Sequence, residues 1–442
     1  MSGFGRISGR LVRYAGPICA LALIARLVMT LLGPNARNWV DLHVYVDGAA
    51  RLLSGDLYLY TYADHTPDFP LPFTYPPFAA VVFLPLHLLP FGVVAVAWQV
   101  ATIAALFLVV RITLDELRVT DDRGLSTRLA LLWTAVGMWT EPVRTSLDYG
   151  QVNVFLVLGA LVAIRSGRWW VTGGLIGVMA GIKLVPAITG IYLLVVRRPG
   201  AAIASGVAFL GTIAVSWLIA RDETTQYFTS IFGDADRIGP VGSVVNQSLR
   251  GTLSRFVGSD VGMGPLWLGA ALVVVVLAVA AFAVLLRSGI PTPAHGGSAP
   301  GRGDAIGLLV VTQLVGLLLS PISWSHHWVW VIVLALWLVH GPQRHRPGAR
   351  LLLGYWAVVA GIGVPWLLTY LQPSIWQIER PLWQAILGAC FAVGALATLL
   401  WIALAGRRNR SATAAREDAG PAPGKLSSAR RAPTSSRPPA AT

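Results

Sequence analysis

Apolar stretches alternate with short polar segments along almost the whole chain, from residue 14 to residue 405. A helix needs about 20 apolar residues to cross the hydrocarbon core of a bilayer. The pattern therefore predicts an all-α polytopic membrane protein and leaves no segment for a soluble folded domain. We expect spans near residues 14–33, 76–90, 91–112, 128–145, 150–165, 170–183, 184–197, 202–220, 264–287, 305–321, 327–340, 351–371 and 384–405.

The number of spans depends on how the proline and glycine breaks are interpreted. Residues 170–183 and 184–197 form either two helices or one kinked helix, and a short segment within 76–128 is a candidate re-entrant helix. Cytoplasmic loops carry an excess of Lys and Arg. Because the arginines that flank the spans place both termini inside, the number of spans is even, and we predict twelve. These arginines are Arg6, Arg10, Arg13, Arg197, Arg198, Arg344, Arg346, Arg350, Arg407, Arg408 and Arg410.

The same orientation assigns the connections and the two parts of the chain. Residues 1–405 are predicted to form the transmembrane domain. Residues 406–442, rich in Ala, Pro, Ser and Arg, are predicted to form a disordered, basic cytoplasmic tail. The loop 288–304 contains several Gly and Pro residues and is expected to be flexible. The connections expected outside the membrane are 34–75, 221–263 and 320–326.

Composition supports a membrane protein and argues against a soluble domain, a nucleic-acid-binding protein and a cysteine-based framework. Hydrophobic residues make up 55% of the chain and charged residues 12%, whereas soluble domains contain about 25% charged residues. The net charge of +14 lies in short loops and in the tail, so the positive-inside rule explains it better than binding to nucleic acid does. Cys19 and Cys390 both lie in apolar spans, so neither a disulfide framework nor a cysteine metal site is expected.

A carboxylate follows the first span almost directly. If residues 38–47 are helical, Asp41 and Tyr45 share one face, while His43 and Asp47 share another. Only one of the two carboxylates would then face a site. An ordinary solvated loop or a helix cap explains the same residues without any function.

Two further polar segments interrupt the apolar runs. Residues 70–78 place Tyr75 beside a Pro-Pro pair, which also suits simple helix initiation. Residues 141–153 carry Gln151 and Asn153 between two apolar helices, where a structural hydrogen-bond network is the alternative to a binding site.

The remaining candidates are cations and imidazoles. Lys183 lies deep in an apolar stretch, and a buried ammonium without an interfacial position needs a partner such as a phosphate, although its side chain could also snorkel. His326 and His327 are adjacent, beside Trp324, whereas a lone core histidine would more often be only structural. The earlier loop 246–251 contributes an Asn, a Gln and an Arg.

Together these segments are expected to form one polar site at the outer leaflet. Ionisable groups inside a membrane are costly and mark functional sites. A carboxylate, a cation and histidines suit the transfer of a group from a lipid phosphate to a hydroxyl, because the carboxylate can take the hydroxyl proton and the cations can stabilise the departing phosphate. A lipid donor reaches such a site laterally, and the sequence contains neither a P-loop nor a dinucleotide-binding fingerprint.

The order of these segments resembles glycosyltransferase family 87, whose members are polytopic enzymes with the GT-C architecture. The resemblance covers nearly the whole chain apart from the tail. It rests on Asp41 to Tyr45, Thr74 to Pro77, Gly150 to Asn153, Lys183 to Pro186, Asn246 to Gly251 and Ser320 to His327.

The resemblance implies a polyprenyl-phosphate mannose donor and a phosphatidylinositol tetramannoside acceptor, joined through an α-(1→2) linkage with inversion. Asp41 matches the family's aspartate and is the expected base, with Asp47 in reserve. We expect a monomer in the plasma membrane, in contact with membrane lipids, whose site faces the periplasm and uses no metal or other cofactor. The residues expected to bind the donor phosphate or the acceptor are His326, His327, Lys183, Arg250, Tyr75, Tyr45, Gln151, Asn153, Asn246, Gln247 and Trp324.

Three other functions compete with this one. A sister enzyme of the family could add α-(1→2)-mannose branches to lipomannan or transfer arabinofuranose. A lipid transporter would show pseudo-symmetric halves with a site near the midplane, and neither is visible in the sequence. A receptor or scaffold without chemistry would leave Asp41 and the histidines replaceable.

Overall fold

The computed structural model describes residues 9–33, 36–66, 68–292 and 303–405. Arg6, most of the loop 288–304 and the tail 406–442 lie outside the described residues, so the expectations about them stay predictions. The tertiary contacts gather residues up to Ala403 into one unit.

The described chain is mostly helical, as the sequence predicts. Short 3₁₀ or π turns cover Val44–Gly48, Leu84–Leu88, Val185–Ile188, Tyr227–Ile231, Leu286–Ser288 and Ser325–Val329. The helices are α1 (Ala15–Leu32), α2 (Val40–His43), α3 (Pro77–Phe83), α4 (Phe91–Glu116), α5 (Arg123–Gly137), α6 (Glu141–Tyr149), α7 (Asn153–Arg165), α8 (Trp169–Ile182), α9 (Thr189–Val195), α10 (Pro199–Ile219), α11 (Arg221–Gln226), α12 (Ala235–Ile238), α13 (Leu249–Val257), α14 (Pro265–Leu285), α15 (Ala305–Leu319), α16 (Trp330–His340), α17 (Ala349–Ile362), α18 (Val364–Thr369), α19 (Leu382–Gly388) and α20 (Cys390–Ala403).

Several of these helices have the length and composition of membrane spans. Among the described residues, α1, α4, α10 and α14 are each long and apolar enough to cross a membrane. Two bent pairs meet this criterion only when the two helices of a pair are counted as one span. These are α6 with α7, bent by 117°, and α19 with α20, bent by 55°. Four to six spans are therefore supported by length and composition, and the polytopic class is confirmed at that level.

The proline and glycine breaks shorten the expected spans in three places. The stretch 76–90 is a seven-residue helix followed by a 3₁₀ turn at Pro85. The stretches 170–183 and 184–197 are two helices, because Lys183 between them has an extended backbone. The stretch 351–371 breaks at Gly363, whose φ of +79° ends α17.

Glycines bring α8 and α10 into close contact. A Cβ added at Gly173 or Gly177 would lie 2.4 Å or 2.3 Å from a backbone oxygen of α10, and one at Gly181 would lie 2.3 Å from Thr212 Oγ1. Small residues at this spacing let the backbones of membrane helices approach each other. The packing fixes the end of α8, which presents Lys183.

The segment that carries Asp41 is tied to several other elements. Its connection onward contains a short antiparallel pair, β1 (Thr61–Tyr62) and β2 (Leu71–Pro72), in which Thr61 faces Pro72. His43 stacks between Tyr62 and Phe91, with ring centroids 4.6 Å and 3.6 Å away. The start of α4 therefore lies beside α2, at the same end of the helix bundle.

Candidate functional site

Two close backbone contacts hold Asp41 against the break between α6 and α7. The Trp39 amide donates to the Asp148 carbonyl at 2.9 Å. Gly150 has a φ of +73°, and a Cβ there would lie 2.6 Å from Leu42 Cβ. Only glycine combines this backbone conformation with so close an approach. Residues 39–42 are therefore fixed beside residues 148–151.

Gln151 and Lys183 form the centre of a buried hydrogen-bond network. The Gln151 side-chain oxygen accepts from the Tyr45 hydroxyl at 3.0 Å and from the Lys183 ammonium at 3.1 Å. Lys183 also donates to Asn153 Oδ1 at 3.0 Å and lies 5.4 Å from the centre of the Tyr75 ring. The Tyr45 and Tyr75 hydroxyls are 3.2 Å apart. Five of the sequence-predicted residues therefore meet at one place.

The histidines reach the same place through Asn153. Its side-chain nitrogen donates to the His326 carbonyl at 2.9 Å, which anchors the 3₁₀ turn that carries both histidines. His326 is buried, and its Nε2 atom has no hydrogen-bond partner in the described parts of the chain. The two imidazole rings are 4.8 Å apart, and the Tyr149 ring contacts His326 edge-on at 5.9 Å.

We infer a cavity between these groups from the exposure of their side chains. Asp41, Tyr75, Tyr149 and His327 each keep part of their surface accessible, although protein atoms surround each of them closely. Side chains that are enclosed and still accessible line a recess inside the fold rather than its outer surface. The cavity therefore has a carboxylate, a cation and imidazoles in its wall.

The environment of Asp41 favours its protonated form. Burial is the largest influence and raises the pKa of the carboxyl to about 6, while a hydrogen bond from Gln151 and the charge of Lys183 act in the opposite direction. A carboxylate of this pKa is ionised at neutral pH and is a stronger base than an exposed aspartate. It is therefore suited to accept a proton from a hydroxyl.

Asn246 and Gln247, two predicted binding residues, hydrogen-bond to backbone groups of the protein. The Asn246 side-chain oxygen accepts from the Ser248 and Ser323 amides at 3.1 Å and 2.9 Å. Gln247 donates to the Gly388 carbonyl at 2.8 Å and accepts from the Phe391 amide at 3.1 Å. Both side chains are fully buried, and their hydrogen bonds hold the loop 241–248 in place.

Three other predicted residues also have partners outside the network. Trp324 packs against Gly239, where a Cβ would lie 2.8 Å from the indole ring. Arg250 makes a two-pronged ion pair with Asp260, with one N–O distance of 3.0 Å. Asp47 accepts from His43 Nδ1 at 2.9 Å, on the helix face that the sequence predicts for these two residues.

Sequence reasoning missed two features near Asp41. Tyr149 lies in the polar segment 141–153, where nothing in the sequence distinguishes it, and it keeps part of its surface accessible in the cavity. Arg26 lies inside the first span and forms a buried ion pair with Asp148. An arginine within an apolar run needs a buried partner. Arg26 therefore indicates in the sequence that the first span contacts another polar segment, which in the structure is α6.

The described residues hold no group of three His, Cys, Asp or Glu side chains placed to bind a metal ion.

A second cavity, of about 370 Å³, lies where α4, α7 and α9 end and α15 begins. It is lined by Glu116 and Arg165, which form an ion pair at 3.2 Å, and by Tyr192, Arg198 and Asp304. Because α7 runs from Asn153 to Arg165, this cavity lies at the opposite end of the bundle from Asp41.

Comparison with known proteins assigns a family. The description Glycosyltransferase family 87 matches residues 73–321. A polyprenol-phosphate-mannose-dependent alpha-(1-2)-phosphatidylinositol pentamannoside mannosyltransferase of Mycobacterium tuberculosis (strain CDC 1551 / Oshkosh) is 52% identical over 90% of this chain and 89% of its own length. A protein of the same description from Mycolicibacterium smegmatis is 51% identical, over 90% and 92% of the two chains.

A more distant relative has a slightly different description. A polyprenol-phosphate-mannose-dependent alpha-(1-2)-phosphatidylinositol mannoside mannosyltransferase of Mycobacterium tuberculosis (strain ATCC 25618 / H37Rv) is 30% identical over 82% of this chain and 83% of its own length. No solved structure matches the chain significantly.

Proposed function

Because this chain belongs to glycosyltransferase family 87, we propose that it transfers mannose from polyprenyl-phosphate mannose to a phosphatidylinositol mannoside through an α-(1→2) linkage. The observation that carries the proposal is a buried Lys183 that interacts electrostatically with Asp41 but forms no ion pair within the described residues. Lys183 hydrogen-bonds only to neutral amides and makes no ion pair within the described chain. A buried cation of this kind requires an anionic partner, and a lipid phosphate is such a partner.

The reaction is one direct displacement at the anomeric carbon. The Asp41 carboxylate takes the proton of the acceptor hydroxyl, and the acceptor oxygen forms a bond to C1 of the mannose. The bond between C1 and the phosphate oxygen breaks, and polyprenyl phosphate leaves with the electron pair. Attack opposite a β-linked phosphate gives the α product. A single base is sufficient, because no covalent intermediate needs to form.

Lys183 and the histidines receive the phosphate. The Lys183 ammonium stabilises the charge that develops on the leaving oxygen, since a preformed cation in a water-poor cavity costs no reorganisation during the reaction. His326 Nε2 is buried and has no hydrogen-bond partner among the described residues, and His327 keeps part of its surface accessible, so both can contact the phosphate or the acceptor. Gln151, Asn153, Tyr45 and Tyr75 fix the position of the cation.

The relatives favour one acceptor class over another. Those whose description includes a pentamannoside are 52% and 51% identical, whereas one described only by a mannoside is 30% identical. We therefore place this chain at the tetramannoside-to-pentamannoside stage or the step after it. Branching of lipomannan and transfer of arabinofuranose are the alternatives.

The proposed topology is the GT-C arrangement with twelve crossings. The helices that would cross are α1, α4, α5, α7, α8, α9, α10, α14, α15, α16, α17 and α20. Successive helices run in opposite directions between two ends of the bundle, one with Asp41 and the other with Arg165 and Arg198. Arg10, Arg13 and Arg350 lie near the first residues of helices that begin at the second end. The positive-inside rule then puts Asp41 on the periplasmic side of the plasma membrane, and we propose a monomer.

The test is a transfer assay with membranes that contain the full chain. Radiolabelled polyprenyl-phosphate mannose is supplied with phosphatidylinositol tetramannoside, or separately with the pentamannoside. We expect a product one hexose larger that an exo-α-(1→2)-mannosidase shortens again. Folded protein that gives no product with either acceptor would contradict the proposal, and lipomannan and arabinosyl donors would then be tested.

A further inference from the structure

Tyr149 is a cavity residue to which the proposed reaction gives no role. It is the last residue of α6, directly before Gly150, and its side chain keeps part of its surface accessible inside the cavity. Gly150, directly after Tyr149, packs against Leu42, directly after Asp41, and the Tyr149 ring contacts His326. Tyr149 therefore borders both the proposed base and the proposed phosphate site.

The Tyr149 hydroxyl differs from those of three nearby tyrosines. Tyr45 donates to Gln151, Tyr75 is 3.2 Å from Tyr45, and Tyr58 donates to the Tyr75 carbonyl at 3.0 Å. Within the described residues, the Tyr149 hydroxyl has no hydrogen-bond partner, while its ring is closely surrounded. A phenol in a recess that bonds to nothing in the protein is available to a ligand.

The surroundings hold this side chain in place before any substrate binds. Asp148, the preceding residue, is fixed by Arg26 through its side chain and by Trp39 through its carbonyl. Gly150, the following residue, is locked against Leu42. A group fixed in this way loses little entropy when it binds a ligand.

We infer that the Tyr149 hydroxyl hydrogen-bonds a hydroxyl of the mannose that is transferred, and so acts as a sugar-binding residue. The inference rests on the proposed function. In that reaction the acceptor oxygen lies at Asp41 and the leaving phosphate at Lys183 and the histidines, so the transferred sugar occupies the space between them. Tyr149 borders that space and carries no charge, which suits a neutral sugar hydroxyl better than a phosphate.

The experiment compares Tyr149→Phe with Tyr192→Phe as a matched control. Tyr192 is another buried tyrosine, but it lines the cavity at the opposite end of the bundle. For each protein, the kcat/KM for polyprenyl-phosphate mannose is measured, together with the inhibition constant of polyprenyl phosphate, which lacks the sugar. We expect Tyr149→Phe to lower kcat/KM by about three- to tenfold, the size of one neutral hydrogen bond, and to leave the inhibition constant unchanged.

The control should match the wild type in both measurements. Two results would overturn the inference: a kcat/KM of Tyr149→Phe equal to that of the wild type, or an equal loss in the inhibition constant of polyprenyl phosphate, which would show a contact with the phosphate or a structural effect. Wild-type protein that transfers no mannose at all would instead overturn the proposed function. The two failures are therefore distinguishable.

Discussion

Replacement of Lys183 by Met tests whether the Lys183 ammonium is needed for catalysis or for the stability of the fold. The ammonium is buried and donates to Gln151 and Asn153, and no carboxylate of the described chain forms an ion pair with it. Met has a similar length and keeps the apolar contacts of the side chain. The substitution leaves Asn153 Oδ1 without its donor but also removes the desolvation cost of a buried charge. We therefore expect the protein to fold with nearly unchanged thermal stability.

The effect on catalysis should be large by comparison. A hydrogen bond from a charged donor contributes about 1.5–3 kcal/mol, so the loss of the contact between Lys183 and the donor phosphate predicts a fall of about 10- to 150-fold in kcat/KM. Lys183 also lowers the pKa of Asp41. Without that charge the pKa of Asp41 rises further above its ordinary value, and the pH at which activity is half-maximal moves upward.

The assay measures kcat/KM for polyprenyl-phosphate mannose between pH 5 and pH 9, with Arg250→Met as the control. Arg250 is also a cation of the sequence-predicted set, but its guanidinium pairs with Asp260. The control should keep the wild-type donor kinetics and the wild-type pH profile. A Lys183→Met enzyme with wild-type kcat/KM, or with a pH profile that does not move, would refute the assignment of the phosphate site.

Three further predictions follow from the same geometry. In the wild type, kcat/KM should fall tenfold per pH unit below about pH 6, because protonation inactivates Asp41 as a base; a pH-rate profile that is flat down to pH 4.5 would exclude this assignment. Gly150→Ala should lower both thermal stability and activity, since a Cβ would lie 2.6 Å from Leu42 Cβ at a φ of +73°, whereas Gly206→Ala, which meets nothing within 4 Å, should leave both unchanged. Asn246→Ala should lower the free energy of unfolding by about 1–3 kcal/mol for each amide left unpaired, and so lower the melting temperature, while the KM for the donor stays constant. A raised KM with unchanged stability would instead support Asn246 as a binding residue.

The residues that the sequence identified correctly as neighbours share one property. Gln151, Asn153 and Lys183 are polar side chains at breaks between apolar helices, and such groups must find one another because lipid offers no partner. The helical spacing predicted for His43 and Asp47 also agrees with the structure, since His43 bonds to Asp47.

The remaining candidates could not be sorted from the sequence. Asn246 and Gln247 lie in a polar loop, and a loop amide looks the same whether it binds a substrate or satisfies buried backbone groups. Arg250 has its partner ten residues away, where no helical or strand spacing indicates a contact. The stretch 76–90 is apolar enough for a span, but its prolines limit the helix to seven residues. Tyr149 could not be singled out, because the absence of a partner is visible only in three dimensions.

The variant Asp41→Asn tests whether Asp41 is the base of the mannosyl transfer. Asn keeps the shape of the side chain but cannot accept the proton of the acceptor hydroxyl. Membranes with wild-type and Asp41→Asn protein are given radiolabelled polyprenyl-phosphate mannose and phosphatidylinositol tetramannoside, after equal melting temperatures are confirmed. We expect a mannosidase-sensitive product one hexose larger from the wild type and none from the variant. Near-normal turnover by Asp41→Asn would contradict the assignment of Asp41 as the base.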